Sequence, residues 1–386
     1  MLIGIDSSRA TGPQRTGTEN YSLFLIRALL ELDTENRYRL YFNGPPAPDL
    51  FTPRRNVQLR AMPFARLWTH IRLSLEMATN APDVLFVPAH VLPLVHPPRC
   101  VATIHDLGYL YYPQMHTRWA RWYLQWSTAF NVRAATQIIA DSEATKRDLI
   151  AHCHADPDGV TVVYPGYDES FTPVQDQARL TAVRQRYGLT RTYVLYVGTL
   201  QPRKNLTTLL DAFAALLEQG RDVDLVIAGK RGWLYESLFG RARSLGLQER
   251  VHWLGYVPPE DLPALLTGAR AFAQPSLYEG FGLPILEAMA CGTPVICSGV
   301  SSLPEVAGDA AILVDPHAVG ELTQALRRVL DDDELHQELT RRGLQQVSRF
   351  SWARCAAETL TVLEMVSRMH PGAPSPASGI QHKDEV

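Results

Sequence analysis

Twice along this chain, short runs of Val, Ile and Leu alternate with longer stretches of helical periodicity, and this alternation constrains the fold more than any other feature. In the first series the spacing predicts strands at Leu2–Ile5, Arg37–Phe42, Val84–Val87, Val101–Ile104, Gln137–Ala140 and Val160–Val163, with helices such as Asn20–Leu32 and Glu143–Ala151 between them. The second series predicts strands at Tyr193–Val197, Asp224–Ala228, Val251–Leu254, Ala271–Gln274, Pro294–Cys297 and Ala311–Val314. Its helices include Leu206–Glu218, Pro259–Thr267, Pro284–Ala290 and Ala318–Leu330. A strand buried on both faces reads as one unbroken apolar run, and parallel neighbours need a helix to carry the chain back between them. The expected fold class is α/β, with two Rossmann-like parallel sheets.

Pro165, Gly166 and Pro173 interrupt the pattern, and 386 residues suit two domains of ordinary size. The expected division is an N-terminal domain at 1–170 and a C-terminal domain at 171–351. A last helix at 352–369 has no strand after it and is expected to pack back on the first domain. The tail, 371–386, is rich in Pro, Ser, Gly and charge and is expected to be disordered. Ligands of open parallel sheets bind at the carboxyl ends of the strands, so the chemistry is expected in the loops there, facing a cleft between the domains.

Several function classes fall away on composition. No apolar run reaches the roughly 18 residues of a membrane span. The start, Met1-Leu2-Ile3-Gly4-Ile5-Asp6, lacks the basic flank and apolar length of a signal peptide, which points to a cytoplasmic protein. Cys100, Cys153, Cys291, Cys297 and Cys355 are scattered without metal-knuckle spacing and read as reduced thiols. Residues 1–150 carry 16 Lys and Arg against 12 Asp and Glu, a surplus of +4; residues 151–386 carry 21 against 28, or −7. A mildly basic first half suits an anionic surface or acceptor, but it is too weak for nucleic acid, and no aromatic-basic RNA signature accompanies it.

The strongest motif is Glu279-Gly280-Phe281-Gly282-Leu283-Pro284-Ile285-Leu286-Glu287, which follows a strand and opens a helix. Its glycines allow close approach, and the amides of Phe281, Gly282 and Leu283 at the helix start suit phosphate or sugar oxygens. Glu287 sits in an otherwise apolar helix, where a solvated charge is out of place, and a carboxylate accepts well from vicinal hydroxyls. The second motif, Gly198-Thr199-Leu200-Gln201-Pro202-Arg203-Lys204, ends a strand and puts two cations where the next helix begins. Cations there oppose the helix dipole, which makes sense if an anion sits between them, such as a diphosphate leaving group. A third candidate is Gly17-Thr18-Glu19-Asn20, a Gly loop against the diphosphate or an ordinary helix N-cap; no G-x-G-x-x-G fingerprint is present. The fourth is His105-Asp106, placed after a strand to reach the cleft.

Together, Glu279-x7-Glu287, the Gly198-to-Lys204 turn, His105-Asp106, Asp141-Ser142-Glu143 and Phe350-Ser351-Trp352 resemble glycosyltransferase family 4, the group 1 transferases, over about residues 1–368. The resemblance implies a GT-B fold, two Rossmann-like domains facing across a cleft with the C-terminal helix crossing back. It implies hexose transfer from a nucleotide-sugar donor with retention of configuration. Arg203 and Lys204 would hold the diphosphate and Glu287 the ribose hydroxyls. Glu279 and the Phe281–Leu283 amides would hold the sugar, with His105 near its reacting carbon and Gly17 near the diphosphate. The expected catalytic set is therefore Glu279, His105, Arg203 and Lys204. The donor-binding set is Gly17, Thr18, Gly198, Phe281, Gly282, Leu283 and Glu287. Where many relatives carry a Gly-Gly or Gly-Val-Gly loop, this chain reads Thr16-Gly17-Thr18, which leaves open the amide that touches phosphate.

No metal and no cofactor are expected, because two cations already neutralise the diphosphate; Asp331-Asp332-Asp333 reads as a polar helix junction. By general resemblance the donor is GDP-mannose, with UDP-glucose or another nucleotide hexose behind it, and the acceptor a glycan or a lipid-linked glycan. A GT-B epimerase and a non-catalytic sugar-nucleotide-binding subunit are the competing functions; intact Glu279, Glu287, Arg203 and Lys204 argue against the second. Trp119, Trp122, Tyr123 and Trp126 recur at helical spacing, as either a buried helix face or a patch making peripheral contact with the inner face of a membrane. Exposed indoles would favour the patch, and full burial would end it.

Overall fold

The computed structural model describes residues 1–12, 17–64, 66–89, 91–232 and 235–369. They form two compact units, Met1–Gly166 with the segment from Ser351 onward, and Tyr167–Phe350. The expected tail at 371–386 and Thr16 lie outside the described residues.

In chain order the first unit begins β1 (Leu2–Asp6), α1 (Gly17–Leu32), β2 (Arg37–Phe42), β3 (Val57–Ala61), a π-helical turn at Thr69–Leu73 and α2 (Ser74–Asn80). It continues β4 (Val84–Val87), β5 (Cys100–Ile104), α3 (Gly108–Tyr111), α4 (Arg118–Ala134), β6 (Gln137–Ala140), α5 (Glu143–Cys153) and β7 (Val160–Val162). The second unit runs α6 (Gln177–Arg186), β8 (Tyr193–Val197), α7 (Leu206–Glu218), β9 (Asp224–Ala228), α8 (Glu236–Ser244), β10 (Val251–Gly255) and α9 (Leu262–Thr267). It closes with β11 (Ala271–Gln274), α10 (Leu283–Ala290), β12 (Val295–Ser298), α11 (Leu303–Ala307), β13 (Ala311–Val314), α12 (Val319–Asp331) and α13 (Asp333–Val347); α14 (Trp352–Arg368) then rejoins the first unit.

All pairings are parallel, in the orders β3-β2-β1-β4-β5-β6-β7 and β10-β9-β8-β11-β12-β13. Both sheets reverse direction of growth beside their first strand, between β1 and β4 and between β8 and β11, which opens a crevice at the carboxyl ends there. The predicted strands are all present. The addition is β3, whose Val-Gln-Leu-Arg-Ala lies half-exposed at the sheet edge, where burial does not demand an apolar run.

Each sheet carries its own core. Val194, Tyr196, Leu225 and Ile227 of the second sheet pack on Leu209, Leu210 and Phe213 of α7, each such buried side chain stabilising the fold by about 1.5–3 kcal/mol. In the first unit Trp352, Cys355, Val362 and Leu363 of α14 join the core of β1, β2 and α1. Trp352 meets Tyr21 edge-on at 5.7 Å and stacks on Phe24 at 5.7 Å, while the Ser351 hydroxyl caps α14 by accepting from the Arg354 amide at 3.1 Å. The helix expected to return to the first domain does so.

Asp331, Asp332 and Asp333 lie at the junction of α12 and α13. Asp332 accepts from the Leu335 amide at 2.9 Å as the N-cap, Asp331 pairs with Arg221 at 2.6 Å, and Asp333 pairs with Arg270.

Candidate active site

In the second unit the two strongest motifs follow neighbouring strands. β8 and β11 pair with Leu195 opposite Phe272, so the connections leaving them emerge side by side. After β8 the chain turns at Gly198, whose φ of +156° lies in glycine's range. A Cβ on Gly229, at the end of β9, would lie 1.9 Å from the Gly198 carbonyl oxygen, so the two strand ends require glycine to pass this closely. A 3-10 turn at Pro202–Lys204 then delivers both cations, and Asn205, left-handed at φ +56°, donates to the Pro275 and Pro316 carbonyls and pins the turn.

After β11 comes Glu279, buried at 5% exposure. Its Oε1 accepts from Lys204 Nζ at 2.5 Å, Ser276 Oγ at 2.6 Å and Gln274 Nε2 at 2.9 Å, and its Oε2 from Arg203 Nη1 at 3.0 Å. Burial alone would raise its pKa; the Lys204 and Arg203 charges overcome that and hold the carboxyl at about 2. Between the two cations lies the chain's own Glu279 carboxylate. The cluster keeps one positive charge in excess.

The loop beyond Glu279 is clamped at its carbonyls and amides. The Ser302 hydroxyl donates to the Glu279 and Phe281 carbonyls at 2.9 and 2.8 Å, and Ser301 Oγ accepts from the Glu279 amide at 2.9 Å. The Phe281 ring is buried edge-on against Phe350, 5.8 Å between centroids, so it anchors the loop and leaves only backbone for a ligand. Gly282, φ +113°, opens α10, and the Leu283 amide begins its first turn, where helix amides have no intrahelical acceptor. Farther along α10 Glu287 is half-buried. Burial, with the Asp168 charge adding to it, pushes its carboxyl up to about 7.

In the first unit His105 follows β5 and Asp141 follows β6. Ile104 pairs with Ala140, so the next residue of each strand meets the other: His105 Nδ1 lies 2.6 Å from Asp141 Oδ2. Tyr21 packs edge-on to the imidazole at 4.7 Å, and Thr145 Oγ1 donates to the His105 carbonyl at 3.2 Å. Burial disfavours the charged ring, but the Asp141 carboxylate, with lesser help from Asp106 and the Pro88 carbonyl, raises its pKa above the ordinary value. Nε2 is buried and closes no hydrogen bond among the described residues. Asp106, the neighbour of His105 in the sequence motif, accepts from the Gly108 amide at 2.9 Å. Gly17 and Thr18 are no loop: they form the first turn of α1, the Thr18 carbonyl accepting from Ser22, and the space beside Gly17 is open.

Two family models cover the chain, one described as Glycosyltransferase Family 4 over residues 15–171 and one as Glycosyl transferases group 1 over residues 182–346. O-antigen chain mannosyltransferase B of Escherichia coli is 36% identical over 270 residues, 69% of this chain and 71% of that protein. The chain belongs to the group 1 glycosyltransferases. This glycosyltransferase is also 35% identical over 233 residues to D-inositol 3-phosphate glycosyltransferase of Corynebacterium glutamicum, 58% of this chain and 56% of that protein. Its fold is GT-B. It matches Anabaena Alr3699/HepE, solved in complex with UDP and glucose, with a TM-score of 0.73 at 20% identity, covering 94% of this chain and 99% of that one. It matches WaaG, a glycosyltransferase involved in lipopolysaccharide biosynthesis, with a TM-score of 0.71 at 16% identity and the same coverage.

Sequence reasoning missed four of the glycosyltransferase's polar partners. Asp141 was noted only as part of a matching turn; its place one residue past a strand end, like His105, was the available signal. Ser276 and Ser302 carried none, because such residues are ordinary in loops; Gln274, the last residue of β11, was available only as a strand end.

Proposed function

We propose that this glycosyltransferase moves a hexose from a nucleotide sugar, with GDP-mannose as donor, to a glycan or lipid-linked acceptor, with retention of anomeric configuration and without a metal. The observation that carries the donor reading is the cluster of Arg203, Lys204 and Glu279 at the ends of β8 and β11, a preformed cationic seat beside the start of α10. The choice of mannose is supported by relatives named for mannosyl transfer, including a 32% identical stretch of 226 residues of serotype-specific mannosyltransferase WbdA of Escherichia coli, of which the chain spans 28%.

In this reading the bond from the anomeric carbon to the diphosphate breaks as the acceptor oxygen forms its bond on the same face. The acceptor proton passes to the departing phosphate oxygen. Arg203, Lys204 and the first amides of α10 stabilise the charge growing on the diphosphate. Glu287 receives the ribose hydroxyls, and His105 serves the reacting sugar. Glu279 acts through the cations, holding both in place before the donor arrives.

Peripheral membrane contact belongs to the same proposal. Among the described residues no helix is long and apolar enough to cross a membrane. On α4, however, Trp119, Trp122 and Tyr123 are 81%, 58% and 40% exposed, while Ser127, Thr128, Asn131 and Val132 face inward. These three exposed rings support the patch reading, while Trp126, half-buried, stacks on Phe130 at 5.5 Å.

The test is calorimetric binding of GDP, UDP and ADP in the presence of chelator, on the native chain and on Glu287→Ala. Tight binding of GDP alone, weakened by the substitution, supports donor, site and metal independence together. Preference for UDP would replace the donor, and no binding at all would sink the donor site.

A further inference from the structure

Among the described residues Leu67, His154, Asn205 and Ser301 take the left-handed backbone without being glycine. Asn205 and Ser301 both lie in connections that leave the carboxyl end of the C-terminal sheet, after β8 and after β12. Asparagine tolerates that conformation well. Serine has no such ease, and at φ +52° the Ser301 Cβ crowds its own backbone. Strain of this kind persists only where the surroundings impose it, and it gathers at functional sites. Glycine would remove the strain and the hydroxyl together.

That hydroxyl reaches the donor loop. Half-buried in the connection between β12 and α11, Ser301 accepts at Oγ from the Glu279 amide at 2.9 Å. The next residue, Ser302, is fully buried and shares its proton between the Glu279 and Phe281 carbonyls at 2.9 and 2.8 Å. Leu303, also fully buried, covers Gly282: a Cβ there would lie 2.7 Å from Leu303 Cδ2. Ser301, Ser302 and Leu303 thus bear in succession on the loop that runs from Glu279 into α10. Their connection is itself held to the sheet, since the Gly299 amide donates to the Val314 carbonyl of β13 at 2.8 Å.

The contact to the Glu279 amide differs from the others in what it fixes. Gln274 and Ser276 hold the carboxylate oxygens, and Ser302 holds carbonyls. With the amide held by Ser301 as well, the peptide planes on both sides of the Glu279 Cα are set. The side chain then leaves the backbone in one direction, onto Lys204 and Arg203. A buried ion cluster is worth having only while its geometry is good, so a backbone free to rotate at Glu279 would loosen both cations.

We infer that Ser301 is a positioning residue of this transferase: its hydroxyl, carried on a strained turn, holds the backbone of Glu279 so that Lys204 and Arg203 face the donor diphosphate. The inference rests on the donor reading above. Ser301 acts through Glu279 and not on the donor itself.

The test is calorimetric binding of GDP and UDP in the presence of chelator, with thermal unfolding of the same samples, on the full native chain and on Ser301→Gly, Ser301→Ala and Ser301→Asn. The first two substitutions both remove the hydroxyl, but only Ser301→Ala keeps a Cβ in the left-handed turn, so Ser301→Gly should melt at the higher temperature. Nucleotide affinity should nevertheless fall alike in both, roughly tenfold, as the loop comes to spend about a tenth of its time in the competent arrangement. Ser301→Asn suits the backbone and offers a side-chain carbonyl to the Glu279 amide, so it should bind more tightly than either. Affinity that instead follows the melting temperature, native-like in Ser301→Gly and low in Ser301→Ala, would make Ser301 a structural residue only and overturn the inference. Binding by Ser301→Asn no tighter than by Ser301→Ala would overturn it as well. Native-like binding by all the variants would overturn it while leaving the donor site standing. A native chain that binds neither nucleotide strikes the donor site itself, and the role of Ser301 falls with it.

Discussion

Lys204 and Glu279 meet as a buried ion pair, Nζ to Oε1 at 2.5 Å, although they belong to separate strand-to-helix connections of the C-terminal sheet. Two ions that lose water need good geometry and further hydrogen bonds to hold together. Here Arg203, Gln274 and Ser276 supply them. In the proposed reaction a diphosphate entering beside this cluster would meet cations that are already oriented, with the ordering cost met in folding.

The pair is therefore expected to be coupled in stability. In a double-mutant cycle of Lys204→Met and Glu279→Gln, urea unfolding should give an interaction free energy of about 1–3 kcal/mol. Additivity within about 0.5 kcal/mol would show that the contact contributes nothing of its own.

Acid should expose the same carboxylate. With its folded pKa depressed to about 2, Glu279 stabilises the fold above the unfolded value of 4.5, and that contribution is lost as pH falls from there toward 2. Glu279→Gln should be less stable at neutral pH and show a shallower loss in this window than the native chain. Parallel acid profiles would refute the assignment.

Glu287 titrates in the opposite sense. Its raised pKa means the folded chain binds more protons than the unfolded one between 4.5 and about 7, so its contribution turns unfavourable as pH rises through that window. If its carboxylate receives the ribose hydroxyls, nucleotide affinity should rise roughly tenfold between about pH 6 and about pH 8, as the charged form fills. Glu287→Gln should remove the rise that remains after the nucleotide's own titration is subtracted from both data sets.

Asp141 is expected to act through His105. Asp141→Asn should lower the imidazole pKa, followed by NMR, because the carboxylate is what outweighs burial. Turnover should fall roughly 10- to 100-fold with donor affinity little changed. An unchanged imidazole titration would remove the pairing from the account.

Gly229→Ala places a methyl group against the Gly198 carbonyl at a φ of +155°. It should destabilise the chain by about 1–3 kcal/mol and weaken nucleotide binding, read by thermal unfolding and calorimetry on the same preparation. Native stability would mean that the two strand ends separate freely.

The elements were legible because the signal for them is local. A strand buried on both faces is apolar almost throughout, and the buried strands β4, β6, β8, β9 and β11 occupy the very residues that rule predicts. The half-exposed β3 escaped because an edge strand is released from the rule. Local reading left Gly17 between a Gly loop and a helix N-cap; α1 begins there, since a helix start tolerates glycine with little cost and so leaves a weak mark.

By itself the sequence determined two parallel α/β units, the return of α14 to the first, and the strand ends that carry Arg203, Lys204, Glu279 and His105. Only the tertiary structure decided the partners. Lys204 meets Glu279 because β8 lies beside β11, and His105 meets Asp141 because β5 lies beside β6 in a register that pairs Ile104 with Ala140. It also decided that Trp119, Trp122 and Tyr123 of α4 are outside, since a core stripe and a surface stripe share one helical period. Periodicity is a property of one segment, whereas a contact is a property of two, and strand order is set by how the whole sheet packs.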